Sequence, residues 1–321
     1  MDHVESGRRQ QAIVANHTTI IWNPNSGSAA RCADLLTELQ LRNDVIVKES
    51  HSREHAQSLA AAAAEQSDLV VAAGGDGSIN AVIPGLIESG QNTPFGVIPL
   101  GSGNDFARNL DMPLDPRLAI EGLLSADLTR DTIQMDLVEA TFDDQRMTYI
   151  NMATGGNSGH VLELLDDEVK QRWGPLCYLR GAVDVLSDLQ VYSTVATIDG
   201  EEFADLPLLN ILVANGRCTD GGLNVAPHAR LDDGMLDVLL ILDGTPIDIA
   251  AMSAQLLISD YTQSDQVIWR QAREVSLRTE PAMKWTTDGE PVSVNGHEIT
   301  QCQFRVSAGL TVVSGKSLAS H

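Results

Sequence analysis

What the sequence has least of is positive charge. Lys and Arg number 21 against 44 Asp and Glu, which leaves a formal net charge of −23. That balance excludes nucleic acid as an expected partner, because binding a phosphate backbone needs a positive footprint. The same charge repels an anionic membrane. Lysine is the scarcer base, at four residues, a composition compatible with a salty cell. The cysteines, Cys32, Cys177, Cys218 and Cys302, lie far apart with no C-x-x-C pair. Their spacing fits a reducing cytosol and carries no metal signature. No run reaches the roughly 18 consecutive apolar residues of a membrane-spanning helix. The opening "MDHVESGRRQQAIVANH" lacks the apolar core of a secretory signal, and residues 1–17 read as a disordered tail.

What is present is enough to fold. Hydrophobic residues make up 43% of the 321, and that length exceeds one usual core, so two domains are expected. Over 18–130 strand and helix signals alternate. "TTIIWNP", "DVIVKES", "SDLVVAAGG" and "PFGVIPLG" read as strands. Between them, "AARCADLLTELQ", "SREHAQSLAAAAAEQ" (capped by Ser52) and "SINAVIPGLIES" read as helices. In the last, Ile79, Val82, Ile83, Leu86 and Ile87 share a face, and Pro84 should kink it or loosen its first turns. Alternation of this kind predicts an α/β domain whose parallel sheet binds ligands beyond the carboxyl ends of its strands.

The texture changes over 131–308, where Asp-Gly turn signals sit in "TVATIDGEEF" and "MKWTTDGEPV". "QCQFRV" alternates apolar and polar residues, while "LLNILVANG" and "MLDVLLIL" read as buried strands. A mostly antiparallel β domain is expected there, with helices near 160–190 and 246–260.

Three glycine-rich turns follow three strands of the first domain: "NPNSG" at 23–27, "GGDGS" at 74–78 and "GSGND" at 101–105. Without Cβ atoms at Gly74, Gly75 and Gly77, backbone N–H groups can approach an anion closely. Ser78 is read as opening a helix whose N-terminus favours a phosphate. The pattern is neither a Walker A loop, since no Gly-Lys-Ser/Thr follows, nor a usual dinucleotide fingerprint. A carboxylate among phosphate-binding amides repels the ligand unless it meets a magnesium ion or a reacting hydroxyl. Asp76 therefore reads either as such a group or as a cap for the helix at 78.

Together the three turns resemble the signature of the diacylglycerol kinase catalytic domain. The bacterial, YegS-like lipid kinases carry it, and they are related to sphingosine kinases. That family shows N-P-x-S-G, G-G-D-G-[TS]-x-N and P-x-G-[TS]-x-N-D-F-A; this chain has "NPNSG", "GGDGSIN" and "PLGSGNDFAR". "IQMDLVEA", "VKQRWGPLCYL", "GGLNVAPHARLDDGMLDVLL" and "DGEP" extend the resemblance across the second domain. It implies a two-domain enzyme with its active site between the domains. It also implies a last strand within 309–321 that returns to the first domain.

Carried over by position, the resemblance assigns nucleotide contacts to Asn23, Ser50, Gly74, Gly75, Asp76, Gly77, Ser78, Ile79, Asn80 and Ser102. Asp76 would be catalytic, supported by a polar network of Asn104, Asp105, Asp136 and Lys170. Glu290 takes the place of the family's general base; on local pattern alone it is an exposed residue beside a hairpin turn. "RLDDGM" resembles a magnesium site built from the Asp233 carboxylate and the backbone carbonyls of Arg230 and Met235, and otherwise reads as a plain acidic turn. The chain departs from the family in having Ser28, Ala29 and Ala30 where a basic residue often follows the first turn. Phosphate charge would then fall to amides, metal and Arg31.

The implied activity is an ATP-dependent lipid kinase with Mg2+ as cofactor, cytoplasmic and transiently peripheral to the membrane, with a homodimer left open. The stretches "VKQRWGPLCYLR" and "VIWRQAR" either dock at a lipid surface or hold a packed Trp flanked by surface charge. Two rival readings stand beside this one. A kinase of a soluble acceptor such as NAD shares the second glycine turn, and a catalytically idle nucleotide or lipid sensor would keep the same residues.

Overall fold

Alternation in the first third becomes a parallel sheet. A computed structural model describes residues 13–157, 189–258, 260–294 and 296–318. The chain divides into two units, Met1–Gln134 with Leu310–His321, and Met135–Gly309.

In the first unit, β1 (Thr18–Trp22), β2 (Val45–Glu49), β3 (Leu69–Gly74) and β4 (Phe95–Pro99) lie parallel in the order β2-β1-β3-β4. β1, β3 and β4 are buried along their whole length, as strands covered on both faces must be. The first helical signal divides into a 3-10 turn, Ala29–Cys32, and α1 (Ala33–Gln40). α2 (Arg53–Ala64) is capped by Ser52, whose side chain accepts from the His55 N–H. Its alanine face meets α3 (Asp76–Ser89), where a Cβ added at Gly85 would stand 2.1 Å from the Gln57 carbonyl oxygen. Small residues on both helices thus permit the close approach. α3 begins two residues earlier than the sequence suggests, with Gly75 as N-cap, and runs on through Pro84. Ile87 is 41% exposed, so the apolar face of α3 stops at Leu86. α4 (Asp105–Asn109) and α5 (Pro116–Ser125) follow the fourth strand.

β5 (Thr132–Phe142) leads into the antiparallel second unit. There β6 (Gln145–Tyr149) pairs with β5, β7 (Met152–Gly156) with β9, and β8 (Tyr192–Ile198) with β9 (Glu201–Ala214). A small hairpin, β10 (Cys218–Thr219) with β11 (Leu223–Asn224), precedes β12 (Leu236–Leu242) and α6 (Pro246–Ile258). β13 (Val267–Ala272) pairs with β12, and β14 (Glu274–Met283) with β8. β15 (Trp285–Thr287) and β16 (Glu290–Val292) form a hairpin, and β17 (Ile299–Val313) follows. Both Asp-Gly signals are turns with positive φ: 45° and 87° at Asp199-Gly200, 48° and 80° at Asp288-Gly289. The few aromatics concentrate here, with Phe142, Tyr149, Trp285 and Phe304 in one buried cluster of centroid separations 5.5–6.3 Å. The helices expected near 160–190 lie outside the described residues.

Candidate active site

Because β1, β3 and β4 are adjacent and parallel, the three glycine turns leave the same edge of the sheet. They are stitched to one another. The Asn23 N–H donates to the Ala73 carbonyl (2.9 Å), and Asn23 Nδ2 to Ser78 Oγ (2.8 Å), joining the first turn to the second. Ser28 donates to the Leu100 carbonyl through both its N–H (2.8 Å) and its hydroxyl (3.0 Å), joining the first turn to the third. Gly75 and Gly101 touch through backbone alone, and a Cβ on Gly101 would lie 2.5 Å from Gly75 Cα. Asn104, at φ 56°, closes the third turn by accepting from the Gly101 N–H (2.8 Å) and donating to the Gly101 carbonyl (2.9 Å).

Two features of this edge suit an anion. α2 and α5 have side-chain caps, Ser52 and Asp115, whereas α3 has none. The Ser78 and Ile79 N–H groups return to the Gly75 carbonyl (2.9 and 3.2 Å), which leaves the N–H groups of Asp76 and Gly77 as the donors facing a ligand. Gly77 is exposed, with no heavy atom within 4 Å of an added Cβ and no positive φ. Nothing in the protein itself requires glycine there, and its absent side chain leaves the backbone open to close approach.

Asp76 does not cap its own helix with its side chain. Its Oδ1 accepts from the Phe106 N–H at 2.9 Å, tying the start of α3 to the start of α4. Asp105 is buried at the first position of α4, and Ser102 is exposed in the third turn. Ser50, buried after β2, donates its N–H to the Trp22 carbonyl at 2.8 Å. Ile79 is core at 1% exposure, so only its backbone is open to a ligand, and Asn80 is half-buried beside it. The first unit thus gathers Asn23, Gly74 to Asn80, Ser102, Asn104 and Asp105, with Ser50 one strand away.

Asp136, Asp233 and Glu290 belong to the second unit. The Asp136 N–H donates to the Leu231 carbonyl (2.6 Å), and its carboxylate accepts from the Gly234 N–H (2.7 Å), which fixes the 230–235 loop on β5. Burial raises the Asp136 pKa; the Gly234 amide opposes the rise, and the charges of Asp233 and Asp232 add to it. Burial also raises Asp233, against the Met235 amide and the Arg230 charge. Among the described residues no three His, Cys, Asp or Glu side chains converge as metal ligands. The loop does fit a hard cation that draws on backbone carbonyls: crowded carboxylates repel one another, and Asp233 has committed Oδ1 to the Met235 N–H (3.0 Å).

Glu290 is exposed at the start of β16. The residue that places its hairpin is Asp288, whose carboxylate accepts from the N–H groups of Ile150 (3.0 Å), Asn151 (2.9 Å) and Met152 (3.0 Å). Asn215, fully buried, continues the network by donating to the carbonyls of Ile150 (2.8 Å) and Asp136 (3.1 Å). Hydrogen bonds therefore run from the Glu290 hairpin through Asn215 to the Asp136 strand. Neither Asp288 nor Asn215 stood out in the sequence beyond a turn signal. Lys170 and the stretch around Trp173 lie outside the described residues. In the other stretch, Trp269 is packed: its Nε1 donates to Asp237 (2.6 Å), its ring lies 4.6 Å from that of His228, and Arg270 stands over Phe203.

Comparison with known proteins now decides the family. The family model described as the diacylglycerol kinase catalytic domain matches residues 17–139, and the YegS C-terminal NAD kinase beta sandwich-like domain matches 153–306. The chain belongs to the diacylglycerol kinase catalytic-domain family. Similar to this kinase is a "Diacylglycerol kinase" of Bacillus subtilis, 28% identical over 84% of this chain and 88% of its own length. A "Probable lipid kinase YegS-like" of Chromohalobacter salexigens is 29% identical over 78% of each chain. A crystal structure of a diacylglycerol kinase from Bacillus anthracis matches with a TM-score of 0.71 at 18% identity, covering 95% of this kinase and 98% of that chain. That likeness shows the shared fold. Among the described residues, no helix of the kinase is long and apolar enough to cross a membrane.

Proposed function

We propose that the protein is an ATP-dependent lipid kinase that transfers the γ-phosphate to a hydroxyl of a diacylglycerol-like lipid. The observation that carries this reading is the uncapped first turn of α3, placed among three stitched glycine turns and locked to α4 by Asp76. Such a turn offers amides to phosphate oxygens. The named relatives supply the lipid as acceptor class.

In this reading Asn23, Ser50, Gly74 to Asn80 and Ser102 hold the nucleotide. Asp76, with Asn104, Asp105 and Asp136, orders the phosphates. Glu290 accepts the proton of the lipid hydroxyl as that oxygen attacks phosphorus. Asp233, with the carbonyls of Arg230 and Met235, holds magnesium, which when bound offsets the negative charge of the carboxylates crowded around that loop. Contact with the membrane is peripheral and transient.

The test is a transfer assay with purified protein, γ-labelled ATP, magnesium and mixed micelles carrying a panel of lipids, with NAD offered alongside. Label in a chloroform-extractable product is the expected result. Label confined to a water-soluble product moves the protein to the soluble-acceptor kinases. ATP binding without any transfer supports the sensor.

A further inference from the structure

Phosphate binding needs positive charge near the glycine turns, and the residues that follow the first turn, Ser28, Ala29 and Ala30, supply none. Five arginines of the described residues are taken up by acids: Arg42 by Asp44, Arg117 by Glu38, Arg130 by Asp127, Arg230 by Asp232 and Arg305 by Glu139. Arg108 is different. It is half-buried on α4, and its Nε donates to the Gly103 carbonyl at 3.1 Å, inside the third glycine turn. Its two terminal nitrogens have no partner among the described residues, although the chain carries 44 acidic residues.

An arginine held by one edge of its guanidinium presents the other edge at little further entropic cost, and that planar edge matches two phosphate oxygens. Its neighbours belong to the anion-suited edge: Ser102 and Gly103 precede it in the same turn, Gly101 backs on Gly75, and the Phe106 N–H is bound by Asp76. Arg31 is the weaker candidate, exposed on a 3-10 turn. We propose that Arg108 is a phosphate-binding residue that supplies the fixed positive charge for the phosphate chain of the bound nucleotide. The proposal rests on the nucleotide-binding reading given above.

The experiment is calorimetric titration of the full chain with magnesium-ATP, for wild type, Arg108→Gln and Arg108→Lys, with thermal unfolding of each protein in the absence of nucleotide. Gln keeps an amide able to donate to Gly103 but removes the charge; Lys keeps a charge without the planar edge. Expected is a rise in Kd of about tenfold or more for Arg108→Gln, with a smaller rise for Arg108→Lys. Unfolding temperatures should be close to wild type. Wild-type affinity in Arg108→Gln overturns the assignment while leaving the nucleotide reading intact. A matching loss of affinity and of stability in both variants also overturns it, because Arg108 then serves only to hold the turn. If wild type binds no nucleotide, the functional reading and this proposal fail together.

Discussion

At the scale of single residues, the proposed function gives Asp76 and Glu290 two separate jobs. Asp76 already uses one oxygen on the Phe106 N–H, so Asp76→Asn is the informative change: its amide oxygen can still accept that bond while the charge is lost. Steady-state kinetics should show turnover at least about a hundredfold lower, with thermal stability changed by less than about 1 kcal/mol. Glu290 is exposed and holds no core together. Glu290→Gln should depress kcat by orders of magnitude and leave the KM for ATP within about twofold, as expected for a group that acts on the attacking hydroxyl. Asp288 is structural. Replacing it by Ala strands three backbone donors, and denaturant titration should show a loss of about 2–4 kcal/mol.

At the scale of elements, two glycines only two strands' turns apart should behave in opposite ways. Gly101→Ala forces a Cβ to 2.5 Å from Gly75 Cα, and overpacking of that kind should cost about 1–3 kcal/mol of stability. Gly77→Ala meets open space in a helical first turn; its stability should be equal or up to about 1 kcal/mol higher, while ATP affinity falls. Thermal melts with and without ATP read both effects. Much of this level was legible in advance. Ser52 announced a cap, the Asp-Gly pairs announced two hairpins, and the strand–helix alternation announced the parallel sheet, because each signal is local. The start of α3 was misread by two residues because Gly75 caps without a side chain, and glycine gives no N-cap signal of the Ser52 kind. Ile87 was misplaced because helical spacing defines a face but not where the covering layer ends. Asp288 and Asn215 were invisible for another reason: their partners are fixed by tertiary pairing, and no short window contains them.

At the scale of the whole molecule, net charge would govern the proposed approach to a lipid surface. With −23 formal charges, binding to anionic vesicles should strengthen as salt rises from about 10 mM to about 150 mM, where the screening length falls from about 30 Å to about 8 Å. Sedimentation with vesicles of zwitterionic and of anionic lipid measures it. A decrease with salt would instead reveal a local cationic patch that outweighs the total. The family and the two-domain plan were readable from three glycine turns. The second unit was less so, since its buried network runs between residues 136, 150, 215 and 288.

The partition of the chain also has a consequence for its synthesis. The first unit is assembled from two separated pieces, Met1–Gln134 and Leu310–His321, with the second unit continuous between them. β4 therefore stays without its Val312 neighbour, which pairs with Phe95, until the ribosome has finished the whole intervening unit. During elongation the parallel sheet waits with one edge uncovered, a period in which it is open to mispairing and to chaperones. Residues 135–309, by contrast, can complete their own core as one uninterrupted segment.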